Sequence, residues 1–405
     1  MKVLQINAVN KVASTGRTCC EMSNYLIEHG DTCVTAYSKG VSVDKNAEYV
    51  IGNAYDVKLH GLFSRLSGKQ AYFSKRETGK LLRFTKEFEP DIVILRNLHG
   101  NYINLPMLFS FLAENDIATV AVLHDCWFFT GKCCHYTSSG CYKWQTECRD
   151  CPSLKKYNKS WFFDRSAEMF RDKERLFNSI PRLAVVGVSQ WLTNEAKKAP
   201  IFKNAREIIK IYNWIDTDVF KPVDVYDLRE QLGLGGKKMI LAAASGWSRE
   251  KGLETVIELS KKLSDSERIV MVGNINANVT LPDKIISMPA TNSVEELVKY
   301  YSATDVFLQP SLEETFGKVT AEALSCGTPV VCFNSTANPE LVGKDCGAVV
   351  PVNDISKMLS EIRTVLSNGK SAYSEKCRDF AVQSFNMEKN ISQYYALFQR
   401  LSNKQ

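Results

Sequence analysis

Short apolar runs alternate with amphipathic stretches along the whole chain. In the first half the runs predict strands at Val3–Ile6, Thr32–Ala36, Ile92–Leu95, Val120–Leu123 and Leu183–Val188. The pattern starts again in the second half, with strands predicted at Met239–Ala243, Ile269–Val272, Ile285–Met288, Asp305–Leu308 and Val330–Phe333. The intervals are long enough for crossover helices, which favours parallel sheets covered on both faces. The predicted fold class is α/β, with doubly wound parallel sheets.

The length of the chain indicates two domains. At 405 residues the chain is too long for one typical core, so two domains of about 200 residues each are expected. We predict domains over 1–210 and 211–386, with a linker at 211–222. Open parallel sheets bind ligands at the carboxyl ends of their strands, and pockets favour domain interfaces. The ligand is therefore expected in an interdomain cleft.

The segment 310–331 carries the most informative pattern. Glu314 and Glu322 stand eight residues apart, and a helix is predicted from about 316 to 325. Backbone amides at a helix start attract phosphate, because the first N–H groups have no partner within the helix and the dipole is positive there. Glu314 could accept hydrogen bonds from sugar hydroxyls and Glu322 could reach a ribose. This pattern predicts a site for a sugar nucleotide.

A glycine-bounded loop at 246–252 follows one predicted strand and precedes a helix predicted over Leu253–Leu263. Its Arg249 and Lys251 could clamp a diphosphate and neutralise the charge that builds as a nucleotide leaves. By itself such a basic helix start is more often a solvent-facing turn. The carboxylate pair in the same half favours the binding interpretation.

Two histidines follow strands of the first half. His124, followed by Asp125, ends the strand Val120–Leu123 and could donate to a sugar hydroxyl or a phosphate oxygen. A histidine satisfied by packing is the alternative. His99 follows Ile92–Leu95 and could line an acceptor side, with a structural role as its alternative.

Six of the thirteen cysteines crowd into residues 126–151. Four thiolates could close a tetrahedral, structural zinc site that holds a loop lacking regular structure; the candidate ligands are Cys133, Cys141, Cys148 and Cys151. The spacing is not a standard finger pattern. Redox-sensitive thiols, disulfides and unligated cysteines therefore remain alternatives.

The charge is mildly positive and uneven. Lys+Arg minus Asp+Glu is 51 − 45 = +6, and residues 58–86 hold eight basic residues against one acid. Leucines and aromatic residues interleave with them, so this segment is either a solvated helical face or a dock for anionic lipid headgroups or a lipid-diphosphate acceptor. No nucleic-acid motif accompanies the charge. Because the first residues lack a signal-peptide pattern and no apolar run approaches 18 residues, we expect a cytoplasmic protein, with peripheral contact at the inner face of the plasma membrane as a possibility.

Several common motifs are missing from the sequence. It contains no G-x-x-x-x-G-K-[ST], H-E-x-x-H or G-x-S-x-G, and no G-x-G-x-x-G after the first strand. Phosphate-loop nucleotidases, zinc proteases, serine hydrolases and dinucleotide dehydrogenases are therefore disfavoured.

These residues together resemble a family 4 retaining glycosyltransferase with the GT-B fold, of the kind found in bacterial capsule, exopolysaccharide and lipopolysaccharide gene sets. Glu314 and Glu322 match the family's E-x7-E motif, and 325–331 matches the segment that comes next in that family. Arg249 and Lys251 match the basic pair.

The resemblance extends over nearly the whole chain. Residues 14–17 match the first glycine loop, and 211–222 are similar to the interdomain segment. One departure is Trp247, which stands just after Gly246 where many relatives have the arginine of the basic pair. The division of labour between the two remaining cations is therefore open.

The resemblance implies two Rossmann-like domains, with the donor held mainly by the C-terminal domain and the acceptor by the N-terminal domain. The last helix, about 387–405, is expected to cross back and complete the N-terminal domain. The residues expected to act in catalysis are Glu314, His124, Arg249 and Lys251. Those expected to bind the donor are Gly16, Gly246, Thr315, Phe316, Gly317, Lys318 and Glu322. Those expected on the acceptor side are Arg17, His99 and Asp125.

The implied activity is retaining, metal-independent transfer of a sugar from a UDP- or GDP-sugar to a saccharide or a lipid-diphosphate-linked saccharide. A nucleotide-sugar epimerase or a sugar phosphorylase on the same architecture remains an alternative. A non-catalytic protein that binds sugar nucleotides is a third possibility.

Overall fold

The structure is a computed structural model that describes residues 1–40, 47–291 and 293–402. It separates into two compact units, Met1–Ile211 with Ile391–Gln405, and Tyr212–Asn390. Residues 403–405, the end of the predicted C-terminal segment, lie outside the described residues. In the described part of the chain, every helix is too short or too polar to cross a bilayer.

The first unit is built on a seven-stranded sheet in which every pairing is parallel, in the order β3-β2-β1-β4-β5-β6-β7. Its strands are β1 Lys2–Val9, β2 Thr32–Lys39, β3 Glu48–Val50, β4 Ile92–Leu95, β5 Ala118–Leu123, β6 Leu183–Gly187 and β7 Glu207–Lys210. Its helices are α1 Ala13–Glu28, α2 Ala54–Ser67, α3 Lys75–Phe88, α4 Leu105–Glu114, α5 Ser166–Asn178 and α6 Gln190–Lys198.

The second unit is built on a six-stranded sheet, again wholly parallel, in the order β10-β9-β8-β11-β12-β13. Its strands are β8 Lys238–Gly246, β9 Glu267–Asn274, β10 Ile285–Met288, β11 Val306–Gln309, β12 Val330–Phe333 and β13 Gly347–Val350. Its helices are α7 Tyr226–Gln231, α8 Leu253–Ser260, α9 Val294–Ala303, α10 Lys318–Ser325, α11 Ile355–Asn368 and α12 Ser371–Phe385. A last helix, α13 Met387–Ser402, begins in this unit and contributes its residues from Ile391 onward to the first.

The predicted fold class is confirmed, because central strands such as β4 and β5 are buried along their full length, as strands covered on both faces must be. The segment 211–222 has no helix and forms one isolated bridge, between Ile215 and Asn386. Trp214 and Phe220 within it are buried, and the segment belongs to the second unit from Tyr212 onward.

One sequence-based element was wrong. Residues 14–17 were expected to form a glycine loop, but α1 already begins at Ala13. The chain turns earlier, at Lys11 (φ 62°) and Ala13 (φ 54°), both in the left-handed region. Gly16 lies in the first turns of the helix, where an added Cβ would come within 3.1 Å of the backbone of Asn10 and Lys11. The glycine is therefore explained by close packing of the helix start on the loop after β1.

Both sheets reverse their direction of growth once. In the first sheet the reversal falls between β1 and β4, and in the second between β8 and β11. At such a switch point the loops after two neighbouring strands diverge and leave a crevice at the carboxyl edge, which is where open α/β sheets bind ligands. Of the predicted site residues, His99 follows β4, Lys251 follows β8 and Glu314 follows β11. His124 and Asp125 follow β5, the strand next to β4.

Gly347 offers a test of the second sheet. It pairs with Val330 across β12 and β13, has φ of 140°, and an added Cβ would lie 1.8 Å from the Val330 carbonyl oxygen. We expect Gly347→Ala to lower the free energy of unfolding by at least about 2 kcal/mol, a fall of roughly 4–8 °C in the thermal midpoint of this unit. Gly236→Ala is the matched control, because a Cβ there meets nothing within 4 Å. Equal midpoints for the two variants would contradict the packing described.

Candidate functional site

The loop after β8 reaches the loop after β11 through a glycine. Gly252 has φ of 81°, and a Cβ built on it would lie 2.3 Å from the carbonyl oxygen of Pro310. The Leu312 amide donates to the carbonyl of Glu250 at 2.8 Å, which ties the two loops together. Since only glycine tolerates this approach, Gly252 positions the basic loop against the carboxylate loop.

That approach places Lys251 beside Glu314. The Nζ of Lys251 lies 2.5 Å from Oε1 of Glu314, and the glutamate side chain is only 12% exposed. The second predicted cation, Arg249, has a side chain 77% exposed and faces Glu254 at 4.0 Å. Lys251 is therefore the cation built into the site, while Arg249 remains at the surface.

The departure at Trp247 has a structural reason. Its side chain is buried, its indole N–H donates to the carbonyl of Val272 at 3.1 Å, and its own amide donates to Asn274 at 2.8 Å. Trp247 therefore anchors the start of the basic loop to β9. The neighbouring Gly246 has room for a side chain, since the nearest atom to an added Cβ is 3.9 Å away.

Glu314 is held by its backbone. Its amide donates to the Thr336 hydroxyl at 2.8 Å, and its carbonyl accepts from the Ala337 amide at 3.2 Å. Thr336 has φ of 48°, a strained conformation for a threonine that tends to occur at functional sites. These contacts fix the position of the carboxylate beside Lys251.

Buried amides and hydroxyls support the same loop. Ser311 donates to the Gln309 side chain at 2.9 Å, Gln309 donates to Thr320 at 3.3 Å, and Asn338 donates to the Ser311 carbonyl at 2.9 Å. All four residues are at most 3% exposed. These hydrogen bonds restrict the conformation of the loop, although the buried Oδ1 of Asn338 has no partner among the described residues.

Helix α10 starts as expected for a phosphate site. Gly317 is its N-cap residue with φ of 77°, Lys318 is its first residue, and the first turn carries no acid. The first amides and the helix dipole therefore present positive charge without an internal acidic competitor. Phe316 is buried and packs edge-on against Phe385 at 5.4 Å, so its side chain supports the helix start. Thr315 is partly exposed beside it.

Glu322 is buried, unlike Glu314. It is 2% exposed, and its Oε2 accepts a hydrogen bond from the Tyr301 hydroxyl at 2.9 Å. The two glutamates stand eight residues apart on either side of the start of α10. As a result, Glu314 lies beside Lys251 while Glu322 is buried inside the unit. Contact between Glu322 and a ribose stays a prediction.

In the first unit, Arg96 is a site residue that the sequence analysis missed. It follows β4 directly, is 1% exposed, and donates to the Gln5 side chain at 3.1 Å. Its Nη1 lies 3.1 Å from Nε2 of His124. A guanidinium only donates, so Nε2 of His124 must accept, which leaves the imidazole neutral with its proton on Nδ1. The sequence did contain a signal for this residue, because an arginine directly follows a wholly apolar strand.

His99 and Asp125 form a second pair near the same sheet edge. The Nε2 of His99 lies 2.8 Å from Oδ2 of Asp125, and Oδ1 accepts from the Trp127 amide at 2.8 Å. Burial alone would raise the pKa of Asp125, but the His99 charge and hydrogen bond and the Trp127 amide outweigh it and lower that pKa to about 2. Arg17, predicted on this side, lies in α1 and is partly exposed.

One group of three potential metal ligands is close together in the described part of the chain. The ligand atoms of His99, Asp125 and Cys134 all lie within 4.8 Å of one another. The direct His99 to Asp125 hydrogen bond already satisfies two of them, so the contacts explain this group without an ion. The predicted zinc ligands Cys133 and Cys151 are in contact, with their sulfur atoms 3.7 Å apart.

A large open depression lies away from these residues. It has a volume of about 690 Å³ and is lined by residues such as Lys262, Arg363 and Ser367. Lys262 follows α8 and the other two belong to α11, and none of the predicted site residues lies in this part of the unit. Its open shape makes it a poor alternative site, and Arg363 in its wall is already bonded to Glu267 at 3.1 Å.

Comparisons with known proteins bear on both units. Residues 224–387 match the model of the family described as "Glycosyl transferases group 1". The chain is 25% identical over 228 residues to N-acetyl-alpha-D-glucosaminyl L-malate synthase of Bacillus anthracis, covering 53% of this chain and 58% of that protein. It is 22% identical over 284 residues to the putative colanic acid biosynthesis glycosyl transferase WcaC of Escherichia coli K12, covering 68% and 67%. The chain spans about half the length of the curated relatives it matches first.

Among solved structures, the chain is similar to HepE of Anabaena in complex with UDP-glucose. The TM-score is 0.66 at 16% identity, over 99% of this chain and 100% of that one. A likeness at this identity shows the fold alone, which is the GT-B fold.

The Asp125 pKa predicts a pH dependence. Because the folded pKa lies near 2 and the unfolded one near 3.9, the carboxylate stabilises the fold fully above about pH 4 and loses that contribution as the pH falls from about 4 to 2. We expect the gap in unfolding free energy between wild type and Asp125→Asn to shrink by about 2 kcal/mol over this window, measured by urea titration at each pH. The exposed Asp150→Asn should track wild type. A gap that stays constant with pH would contradict the His99 to Asp125 pairing.

Proposed function

We propose that this chain, whose residues 224–387 match the glycosyl transferases group 1 family, is a retaining glycosyltransferase. It moves a sugar from a nucleotide-sugar donor to a saccharide acceptor in the synthesis of a surface polysaccharide. The observation that carries the proposal is the contact of Lys251 with Glu314 at the β8/β11 switch point, inside the segment that matches the family. The name of WcaC supports the polysaccharide context.

The donor binds to the second unit. Its diphosphate lies on the first amides of α10, with positive charge from Lys318, Lys251 and the exposed Arg249. The phosphate competes with Glu314 for Lys251, and the carboxylate is then available to accept hydrogen bonds from sugar hydroxyls. Structures of HepE with UDP-glucose support a uridine donor, with GDP-sugars as the other candidate.

In this proposal Glu322 binds the ribose of the donor. Its carboxylate is bonded to Tyr301, so contact with the donor ribose requires that the ribose hydroxyls replace or share the tyrosine hydrogen bond. Tyr301 is then a positioning residue for the carboxylate. The amides near Gly317 lie at the start of the same helix and complete the donor site.

Catalysis rests on orientation and charge stabilisation rather than on a protein nucleophile. Glu314 is held at its backbone and paired with a lysine, which suits a group that grips hydroxyls. The nucleotide diphosphate departs from the face on which the acceptor attacks, and its own oxygen takes the acceptor proton as an oxocarbenium-like centre is trapped. Cationic side chains neutralise the leaving group, so this step uses no metal.

The acceptor binds to the first unit. Arg96 holds His124 with its proton on Nδ1, so the imidazole donates one hydrogen bond to an acceptor or phosphate oxygen. The same sheet edge is lined by the pair of His99 and Asp125 and by Gly16 and Arg17 in the first turns of α1. Any zinc bound by the thiols of residues 133–151 supports the fold and takes no part in transfer.

The activity is tested with a panel of UDP-, GDP- and ADP-sugars, with and without a pool of lipid-linked saccharides. Release of nucleoside diphosphate that depends on the acceptor, and a product with the anomeric configuration of the donor, support the proposal. Isomerisation of the nucleotide sugar without acceptor would show an epimerase. Turnover that requires inorganic phosphate would show a phosphorylase, and binding without turnover a non-catalytic protein.

Glu314→Ala should reduce kcat by at least about a hundredfold, the loss expected for one well-placed transition-state contact. Glu295→Ala is the matched control, because that carboxylate is 81% exposed on α9, and its kcat should stay near that of wild type. Both variants are assayed for nucleoside diphosphate release with the same donor and acceptor. Near-normal turnover of Glu314→Ala would remove the residue from the site.

Peripheral membrane contact is part of the proposal, at a surface that we name the aromatic patch. Its apolar side chains are between 37% and 68% exposed; they are Leu59, Leu62, Phe63, Leu66, Trp161, Phe162 and Phe163. The Trp161 amide donates to the Arg65 carbonyl at 2.8 Å, which joins the loop at 161–163 to α2. Exposed cations lie on α2 and on either side of the loop at 161–163; they are Lys58, Arg65, Lys155, Lys156, Lys159 and Arg165.

Exposed aromatic residues among cations suit the headgroup region of an anionic leaflet. The segment 58–86 was the predicted dock, but its second helix, α3, keeps Thr78, Leu81 and Thr85 buried, and Phe84 stacks on Tyr49 at 4.5 Å. The exposed apolar side chains belong to α2 and to the loop at 161–163. A cytoplasmic enzyme that docks here can reach lipid-linked saccharides.

Vesicle co-sedimentation tests the aromatic patch. Wild type should bind vesicles of equal phosphatidylglycerol and phosphatidylcholine more tightly than vesicles of phosphatidylcholine alone, and salt should weaken the binding. The double variant Phe162→Ser with Phe163→Ser should lose at least about tenfold in affinity, since each lost contact is worth on the order of 1 kcal/mol. Ile27→Ser, at an exposed position on α1, is the control. Unchanged binding of the double variant, or no binding by wild type, would contradict this surface.

A further inference from the structure

Residues 126–165 form a long connection with little regular structure. It contains only three short 3-10 turns in the described chain, at Trp127–Phe129, Thr137–Ser139 and Lys143–Gln145. Aromatic packing holds part of it, with Phe129 4.8 Å and Tyr136 5.1 Å from Trp144 between ring centroids. A connection of this length inside a compact unit needs further cross-links to keep one conformation.

Four thiols of this connection line one small cavity. The cavity has a volume of about 10 Å³, and Cys133, Cys141, Cys148 and Cys151 all contribute to its wall. All thirteen cysteines are unbridged. The Sγ atoms of Cys133 and Cys151 lie 3.7 Å apart, which is far beyond a disulfide bond. It is close to the edge of about 3.8 Å expected for two thiolates at about 2.3 Å from one tetrahedral zinc ion.

Two of these sulfurs already accept backbone hydrogen bonds. The Gly131 amide donates to Sγ of Cys148 at 3.2 Å. The Ser153 amide donates to Sγ of Cys151, two residues before it. Amide donors of this kind stabilise thiolates and orient them as ligands, which a packed neutral thiol does not need.

The remaining wall of the cavity is cationic and donor-rich. Lys132 is 2% exposed with its Nζ donating to the Leu154 carbonyl at 3.0 Å, and Lys143 donates to the Arg149 carbonyl at 3.1 Å. Both lysines and Arg149 line the cavity. A zinc ion with four thiolates carries a charge of about −2, and these cations offset it. The indole N–H of Trp144, also in the wall, is buried and has no acceptor among the described residues.

We propose that Cys133, Cys141, Cys148 and Cys151 bind one Zn²⁺ in a structural site that cross-links this connection. In the described chain no three of these sulfurs lie mutually within 4.8 Å, so coordination draws the remaining thiols toward the Cys133 and Cys151 pair. The alternative group, His99 with Asp125 and Cys134, is already joined by a direct hydrogen bond. This site goes beyond the proposed transfer and does not depend on it.

The metal content of the full chain, purified in reducing buffer without chelator, tests the site. We expect about one zinc per chain by inductively coupled plasma mass spectrometry. Cys141→Ser and Cys148→Ser should each retain less than about a tenth of that amount after dialysis, whereas the control Cys20→Ser, in α1 outside the cavity, should keep it. Zinc below about a tenth per chain in wild type, or full zinc in both ligand variants, would overturn the proposal.

Two further measurements keep the proposal testable if a ligand variant fails to fold. Wild type grown with Co²⁺ in place of zinc should show thiolate-to-cobalt charge-transfer absorption and the intense visible bands of a tetrahedral site. Titration of native wild type with a mercurial should release zinc in step with the loss of four thiolates. An octahedral cobalt spectrum, or a disulfide between Cys133 and Cys151 by mass spectrometry in zinc-free wild type, would overturn it.

Discussion

A lysine and a glutamate 63 residues apart in the chain meet at 2.5 Å because β8 and β11 are neighbours in a parallel sheet. The rest of the second unit's chemistry depends on this contact. Gly252 allows the two loops to touch, Trp247 anchors one of them to β9, and a buried amide and hydroxyl network fixes the other. The contact also sets the charge balance of the loop, because a carboxylate that is only 12% exposed is stabilised by a cation beside it.

In the first unit, a buried arginine holds the candidate functional side chains in place. Arg96 sits at the β1/β4 switch point, where it bonds to Gln5 of β1 and to His124 after β5. An unpaired guanidinium would be costly in such a place, so the cluster is supported by several polar partners. Because the arginine only donates, it also decides which nitrogen of His124 carries the proton. Each unit thus holds its candidate functional side chains at the one sheet edge where neighbouring loops diverge.

The four clustered thiols and part of the aromatic patch lie on the same stretch of chain. Residues 126–165 start directly after Asp125 and end with the exposed Trp161, Phe162 and Phe163. A cross-link through the four thiols would limit the motion of both ends at once. The segment next to Asp125 and the proposed membrane-contacting residues would then share one cross-link. Small, irregular structures commonly gain rigidity in this way when hydrophobic burial alone is insufficient.

The sequence by itself determined ten of the thirteen described strands, the two parallel sheets and the loops that carry Glu314, Lys251, His124 and His99, because these depend on local apolar periodicity and on turn residues. It missed the strands β3, β7 and β13, which lie at the ends of the two sheets. It did not determine that α1 begins at Ala13, since the left-handed residues there are not glycines. The sequence also could not show which of Lys251 and Arg249 pairs with Glu314. Nor could it show which of Glu314 and Glu322 is the more buried. Equal charges two or eight residues apart look alike in a sequence, and only the packing of strands distant in the chain decides which of them is buried, paired or exposed. The role of Arg96 depends on the same long-range packing, which brings three strands of the first sheet together around one side chain.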